Sequence, residues 1–182
     1  MKLIDTGIKG LFVIEPKIFK DERGYFFEAY NLQKFKENGL DYNFVQDNQS
    51  LSSYGVIRGL HYQLNPMAQA KLVRVLQGKV LDVAVDLRKD SPTFGKHFSI
   101  ELSDENFLQL LIPRGFAHGF SVLSEKAVFS YKCDNFYSKE NEGGIIYNSP
   151  TLNIDWKIPI DKAKVSDKDK QNPSFENAQM NF

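Results

Sequence analysis

The sequence predicts an all-β domain, on three observations: apolar residues recurring with period two, turns at short even intervals, and little helical periodicity. The clearest runs are residues 71–76 and 79–87, which flank Gln77-Gly78. In the second run Leu81, Val83, Val85 and Leu87 fall on one face, and Val80, Asp82, Ala84 and Asp86 on the other. That alternation is the signature of a pleated strand, and a two-residue turn ending in glycine reads as a hairpin. Residues 98–102, the polar turn 103–106 and residues 107–112 form a similar unit. Residues 117–123 and 127–133 form another around Ser124-Glu125-Lys126. Short strands so evenly punctuated predict an antiparallel β-sandwich or barrel.

Helical elements are few. Asn31 can cap a short helix that turns Leu32 and Phe35 inward and stops at Gly39. Residues 161–182 are polar, and Ser166-Asp167-Lys168-Asp169 resembles a capping box. With no internal repeat and no low-complexity linker, residues 1–182 read as one domain with a polar C-terminal segment.

Composition narrows the function classes. The chain has 182 residues, enough for a substantial core, and its 23 basic residues balance its 23 acidic ones. No excess field draws it to nucleic acid or to a membrane surface, so a bound anion must be held by a few placed cations. The single cysteine, Cys133, has no internal partner for a disulfide and reads as a small buried hydrophobe. Met1-Lys2-Leu3-Ile4-Asp5 reaches an acid before any apolar stretch, and no run approaches the roughly 18 apolar residues of a membrane span. These features predict a cytoplasmic protein. The 15 Phe and 8 Tyr read mainly as strand packing, with a minority available to stack on a base or sugar.

Three histidines are present. His97 lies between Lys96 and Phe98 at a strand start and reads as a surface residue. His118 closes Pro113-Arg114-Gly115-Phe116-Ala117-His118, a P-x-G-x-x-H pattern similar to the second motif of the cupins, a jelly-roll family. His61 lies in Arg58-Gly59-Leu60-His61-Tyr62-Gln63, where metal-dependent cupins carry H-x-H, and Gln63 replaces the second histidine. A catalytic transition metal wants three imidazole or carboxylate ligands, so this set is one short and no metal is expected. A histidine without a metal can move protons, and the ordinary imidazole pKa of about 6.5 suits that task.

A series of segments extends the pattern. In order they are Lys20 to Glu28, Phe44 to Ser50, Gly55 to Gln63, Gln69 to Arg74, Asp82 to Arg88 and Ser91 to Gly95. Ile112 to Phe120, Tyr131-Lys132 and Ser166 to Asp169 complete it. Together, over roughly residues 10 to 173, the chain resembles the dTDP-4-dehydrorhamnose 3,5-epimerase family. It departs from the family pattern at Ser149, where an aspartate is commoner before the proline, and Arg114 fills a variable position. Metal-dependent cupin oxygenases and non-catalytic sugar-nucleotide binders are the competing classes; Gln63 speaks against the first and the retained proton-transfer residues against the second.

The resemblance implies a cupin-like jelly roll and inversion of C3 and C5 on dTDP-4-dehydro-6-deoxy-D-glucose, without a cofactor. A single-site epimerase acting at only C3 or only C5 is the alternative. The C4 ketone acidifies both neighbouring C–H bonds, so a base on one side of the ring, an acid on the other and a partner for the enolate oxygen suffice. By resemblance the base is His61, oriented by Asp169, and the acid is Tyr131. Lys71 contacts the enolate or substrate, and His118 holds the C4 oxygen. Local sequence gives other roles: Asp169 caps a helix, Tyr131 packs in a strand, Lys71 is a solvated strand-end lysine, and His118 is a core histidine. The resemblance also implies that Arg23 and Arg58 bind the diphosphate and that Tyr137 stacks on thymine. Glu28, Gln46, Asp47, Asn48, Glu142 and Lys168 fall at substrate-binding positions. A homodimer is implied, with Arg23 and Glu28 completing the neighbour's pocket.

Overall fold

The period-two runs fold as strands, and the computed structural model, which describes residues 1–182, arranges them in two facing sheets. In chain order the strands are β1 (Lys2–Asp5), β2 (Phe12–Glu15), β3 (Phe19–Asp21), β4 (Gly24–Phe26), β5 (Gln46–Ser53), β6 (Val56–Gln63) and β7 (Lys71–Gln77). They continue with β8 (Lys79–Asp86), β9 (His97–Ser103), β10 (Gln109–Ile112), β11 (Phe116–Val122), β12 (Lys126–Cys133), β13 (Glu142–Gly144) and β14 (Lys164–Val165). One sheet runs β1-β2-β10-β7-β12-β5, and the other runs β13-β6-β11-β8-β9 with β14 parallel to β6. β3 and β4 form a separate hairpin. The result is a jelly-roll-like sandwich. No helix is long and apolar enough to cross a membrane.

Strand positions follow the sequence reading, but the pairing does not. β7 pairs with β10 and β12, whereas β8 pairs with β9 and β11. Gln77-Gly78 is therefore a corner between sheets, not a hairpin turn, and the turns after β9 and β11 are corners too. Alternation and a short turn show that the chain reverses; they do not distinguish a return beside the first strand from one beneath it. The corners hold one another. Gly78 N–H donates to Asp104 Oδ2 at 3.0 Å, and Lys79 N–H donates to Ser124 Oγ at 2.8 Å. Gly78 has φ +82°, and a Cβ there would stand 2.2 Å from the Lys126 carbonyl oxygen, so this corner requires glycine.

Both faces of β8 are buried, which explains why the alternation alone could not name the inward one. Val80 and Ala84 join Val73, Leu110 and Phe129 between the sheets. Leu81, Val83, Val85 and Leu87 face outward and are covered, with Leu60 and Tyr62, by Ile145, Leu152 and Trp156. Phe175, Met180 and Phe182 pack against the same core. The polar 161–182 segment is thus no loose tail. Full burial of a large apolar side chain contributes about 1.5–3 kcal/mol; these three are partly buried, so each contributes a fraction of that toward holding the polar strap in place.

Helix α1 (Leu32–Glu37) forms as its cap predicts, with Asn31 Oδ1 accepting Lys34 N–H at 3.1 Å. Phe35 is buried under the first sheet with Ile14, Leu72 and Leu111. Leu32 does not turn inward and stays 40% exposed, because a helix of six residues presents only one position to the sheet. His97 begins β9 as expected but is half-buried, and burial holds its imidazole below the ordinary pKa. Cys133 is buried and free.

Candidate active site

In a regular strand, residues three apart point to opposite faces. Arg58 and His61 nonetheless line the same cavity, because β6 carries a bulge between them. His61 pairs with His118 and Arg58 with Phe120, so three steps on β6 match two on β11. Gly59 permits the bulge. It has φ +127°, and a Cβ there would meet Gly119 Cα at 2.6 Å and the His118 carbonyl oxygen at 2.9 Å. An isolated glycine inside a strand pattern is a known bulge signal, and Arg58-Gly59-Leu60-His61 carries it.

The cavity lies between the sheets and measures about 270 Å³. His61, Arg58 and His118 come from one sheet, while Lys71 and Tyr131 come from the other. A smaller lobe of about 120 Å³ continues past His61, Lys71 and Tyr131 to Gln46, Tyr137 and Glu142. His61 and Tyr131 therefore stand on opposite walls of one space.

His61 Nε2 lies 2.7 Å from Asp169 Oδ1. A carboxylate can only accept, so Nε2 carries the proton and Nδ1 is left free as a base. Asp169 is buried and also accepts Gly59 N–H at 3.3 Å. Burial alone would raise its pKa, but the bond to His61, the imidazole's charge, Gly59 and Ser166 together hold it below the usual value. The helix reading of this residue holds as well: in α2 (Asp167–Lys170), Ser166 Oγ accepts Asp169 N–H at 3.1 Å.

A second buried dyad backs the other histidine. His118 Nε2 lies 2.9 and 3.1 Å from the two oxygens of Asp82, which is wholly enclosed. Asp82 is a residue the motif reading passed over as a supporting group. Its signal was an acid between Val80 and Ala84 on a strand with both faces buried.

Desolvation lowers the pKa of the Lys71 ammonium, with Cys133 and Asp82 opposing the shift. Its Nζ stands 5.8 Å from the centre of the Tyr131 ring. Burial raises the Tyr131 phenol, an effect Cys133 reinforces and Arg58 offsets in part. The Tyr131 phenol, raised from an already high value, keeps its proton near neutrality.

The remaining candidates form a rim. Gln46 Nε2 donates to Asn48 Oδ1 at 3.1 Å, and Gln46 Oε1 accepts Tyr137 N–H at 3.2 Å. Tyr137 Oη donates to Glu142 at 3.3 Å, and Lys168 Nζ donates to the same carboxylate at 2.7 Å. Burial would raise the Glu142 carboxyl, but Lys168 chiefly, with His61 and Tyr137, draws it down. The ring of Tyr137 stays 56% exposed, open for stacking.

Three candidates are not brought in by their own chain. Asp47 points to the opposite face of β5 from Gln46 and Asn48, where it pairs with Lys132 at 2.6 Å. Period two dictates this, since the three are consecutive. Arg23 caps the β3–β4 hairpin, pairs with Asp21 and is 84% exposed. Glu28 pairs with Lys34 and Asn31 beside α1. Phe19, Tyr25 and Phe26 of the same hairpin are exposed.

Residues 5–177 match the family model described as dTDP-4-dehydrorhamnose 3,5-epimerase. The chain is 53% identical over 179 residues to the dTDP-4-dehydrorhamnose 3,5-epimerase of Shigella flexneri, covering 98% of each. Among solved structures it is similar to the dTDP-4-dehydrorhamnose 3,5-epimerase of Elizabethkingia anophelis, with 60% identity, a TM-score of 0.94 and 97% of each chain covered. It is also similar to a Legionella pneumophila dTDP-6-deoxy-D-glucose-3,5-epimerase solved with dTDP-4-keto-L-rhamnose. There the identity is 48%, the TM-score 0.93, and 97% of this chain and 93% of that one are covered.

Proposed function

Because the chain belongs to the dTDP-4-dehydrorhamnose 3,5-epimerase family, we propose that it inverts C3 and C5 of dTDP-4-dehydro-6-deoxy-D-glucose in dTDP-L-rhamnose biosynthesis. The product is dTDP-4-dehydro-L-rhamnose. One observation carries the mechanism: His61 and Tyr131 face each other from different sheets across one cavity.

His61 Nδ1 takes the proton from a carbon next to the C4 ketone, and the C–H electrons pass into an enolate. The Tyr131 phenol returns a proton to that carbon on the opposite face, which inverts it. Lys71 and His118 meet the negative charge at O4; Asp169 orients His61, and Asp82 orients His118. Exchange with solvent then resets base and acid for the second carbon. The enolate route uses no metal and no redox cofactor.

Arg58 and Lys168 take the diphosphate, with thymine against Tyr137 and Gln46, Asn48 and Glu142 shaping its rim. Arg23 and Glu28 act in a neighbouring copy's cavity, within a homodimer. Their position away from their own cavity and the exposed aromatics of the β3–β4 hairpin that carries Arg23 support this. A soluble nucleotide-sugar substrate supports a cytoplasmic location.

The test is incubation with dTDP-4-dehydro-6-deoxy-D-glucose in D2O, followed by proton NMR. Deuterium at both C3 and C5 of an L-sugar is the expected result. Label at one carbon alone would make the chain a single-site epimerase, and no label from protein that binds dTDP would overturn the substrate assignment.

A further inference from the structure

Gln63 lies two residues beyond His61 on β6 and is 6% exposed. All three partners of its amide are backbone groups. Nε2 donates to the Met67 carbonyl at 2.6 Å and to the Phe136 carbonyl at 3.1 Å. Oε1 accepts Ser138 N–H at 2.7 Å. Both amide protons are engaged, and the orientation is fixed, because reversing the amide would set an oxygen against two carbonyls.

The two loops so held are also tied to each other. Gln69 Nε2 donates to the Asn135 carbonyl at 2.8 Å, and Ala70 N–H donates to Asp134 Oδ1 at 2.6 Å. Those bonds join loop to loop. Gln63 joins the pair to the strand that carries His61, and the bond from Leu64 N–H to the Asn141 carbonyl at 2.8 Å and the β13–β6 ladder beyond it support the connection. Tyr137 sits between the two residues of its loop that Gln63 grips, Phe136 and Ser138.

We propose that Gln63 is a positioning residue for nucleotide affinity: it fixes Tyr137 relative to His61, so that base stacking and proton transfer operate on one ligand. This rests on the reading above that a dTDP-sugar lies with its thymine against Tyr137. Loss of Gln63 leaves the loops joined to each other but removes the side-chain tie of residues 136–138 to β6, leaving the second loop held to that strand only from Asn141 onward. The contact it sets is made equally by substrate and transition state, so KM responds and kcat does not follow it.

Gln63→Glu keeps the size and the acceptor for Ser138 while replacing the donor group by an oxygen facing two carbonyls. Gln63→Met, which removes all three bonds, is measured alongside it in case the first variant does not fold. For either, the Kd of dTDP and the KM should rise about tenfold while kcat moves by less than about threefold. In a Tyr137→Ala background the same change should cost less than about twofold in dTDP Kd, because Gln63 acts through that ring. A parallel change in kcat and KM, an effect additive with Tyr137→Ala, or unchanged dTDP affinity would each overturn the proposal. Failure of the unsubstituted protein to bind dTDP would instead overturn the functional reading beneath it.

Discussion

Asp169 Oδ1 stands 2.7 Å from His61 Nε2, although 108 residues separate them in the chain. The capping bond from Ser166 fixes the first turn of α2 through the Asp169 backbone, and this leaves the carboxylate free to turn toward β6. Asp169→Asn should keep the cap while weakening the hold on the imidazole's tautomer. Solvent exchange at C3 and C5 should fall together by about two to four orders of magnitude, with dTDP affinity within about threefold. His61→Ala should abolish exchange at both carbons. Near-normal exchange in either variant would remove that residue from the relay.

The alkaline limb of activity should belong to Lys71. Desolvation sets its pKa below 10.5, and burial sets that of Tyr131 above 10.0. The two shifts run in opposite directions and favour the ammonium as the first to lose its proton as pH rises, and with it the stabilising charge at O4. Lys71→Arg should move the limb of kcat/KM to higher pH, since a guanidinium stays protonated. Tyr131→Phe should impair inversion more than proton abstraction and leave the limb of the remaining exchange where it was. A limb that vanished in Tyr131→Phe and persisted in Lys71→Arg would reverse the assignment.

How much of this was legible in the sequence differs from residue to residue. The alternation of Val80 to Leu87 located β8 and its two faces, but not the sheet it joins, because pairing depends on residues far along the chain. Asn31 and Ser166 announced both helices, since a cap is a local bond. The second role of Asp169 was invisible locally; only the fold brings α2 to β6. Motif order supplied His61, Lys71, Tyr131 and His118, and all four line one cavity. Asp47 shows the opposite limit: a motif written as consecutive letters cannot say which letter points away.

Gly59→Ala should be damaging out of proportion to its single added carbon. A Cβ would press on Gly119 Cα and on the His118 carbonyl, and alanine does not readily adopt φ +127°. The backbone strain alone costs about 1–3 kcal/mol, before any separation of β6 from β11. Those two strands carry His61 and His118, so activity should fall together with melting temperature. Thermal unfolding and exchange rates measured on the same preparation test this. A variant that melted normally with full activity would show that the bulge tolerates a side chain.

Subunit mixing tests the proposed neighbour contact directly. Arg23 is 84% exposed and lies outside its own chain's cavity, yet it falls at a diphosphate-binding position by resemblance. If a neighbour's Arg23 completes each site, Arg23→Ala and His61→Ala damage different halves of a shared site. A mixed dimer then holds one doubly damaged site and one intact site. Random exchange places half the chains in mixed dimers, so about one quarter of the unsubstituted activity should return from two impaired preparations. Mixing should be done after mild denaturation and refolding, with dimers verified by light scattering. Verified mixed dimers with no gain in activity would place Arg23 at its own chain's site or outside the mechanism. Recovery near a quarter is hard to obtain in any arrangement except a pocket built from two copies.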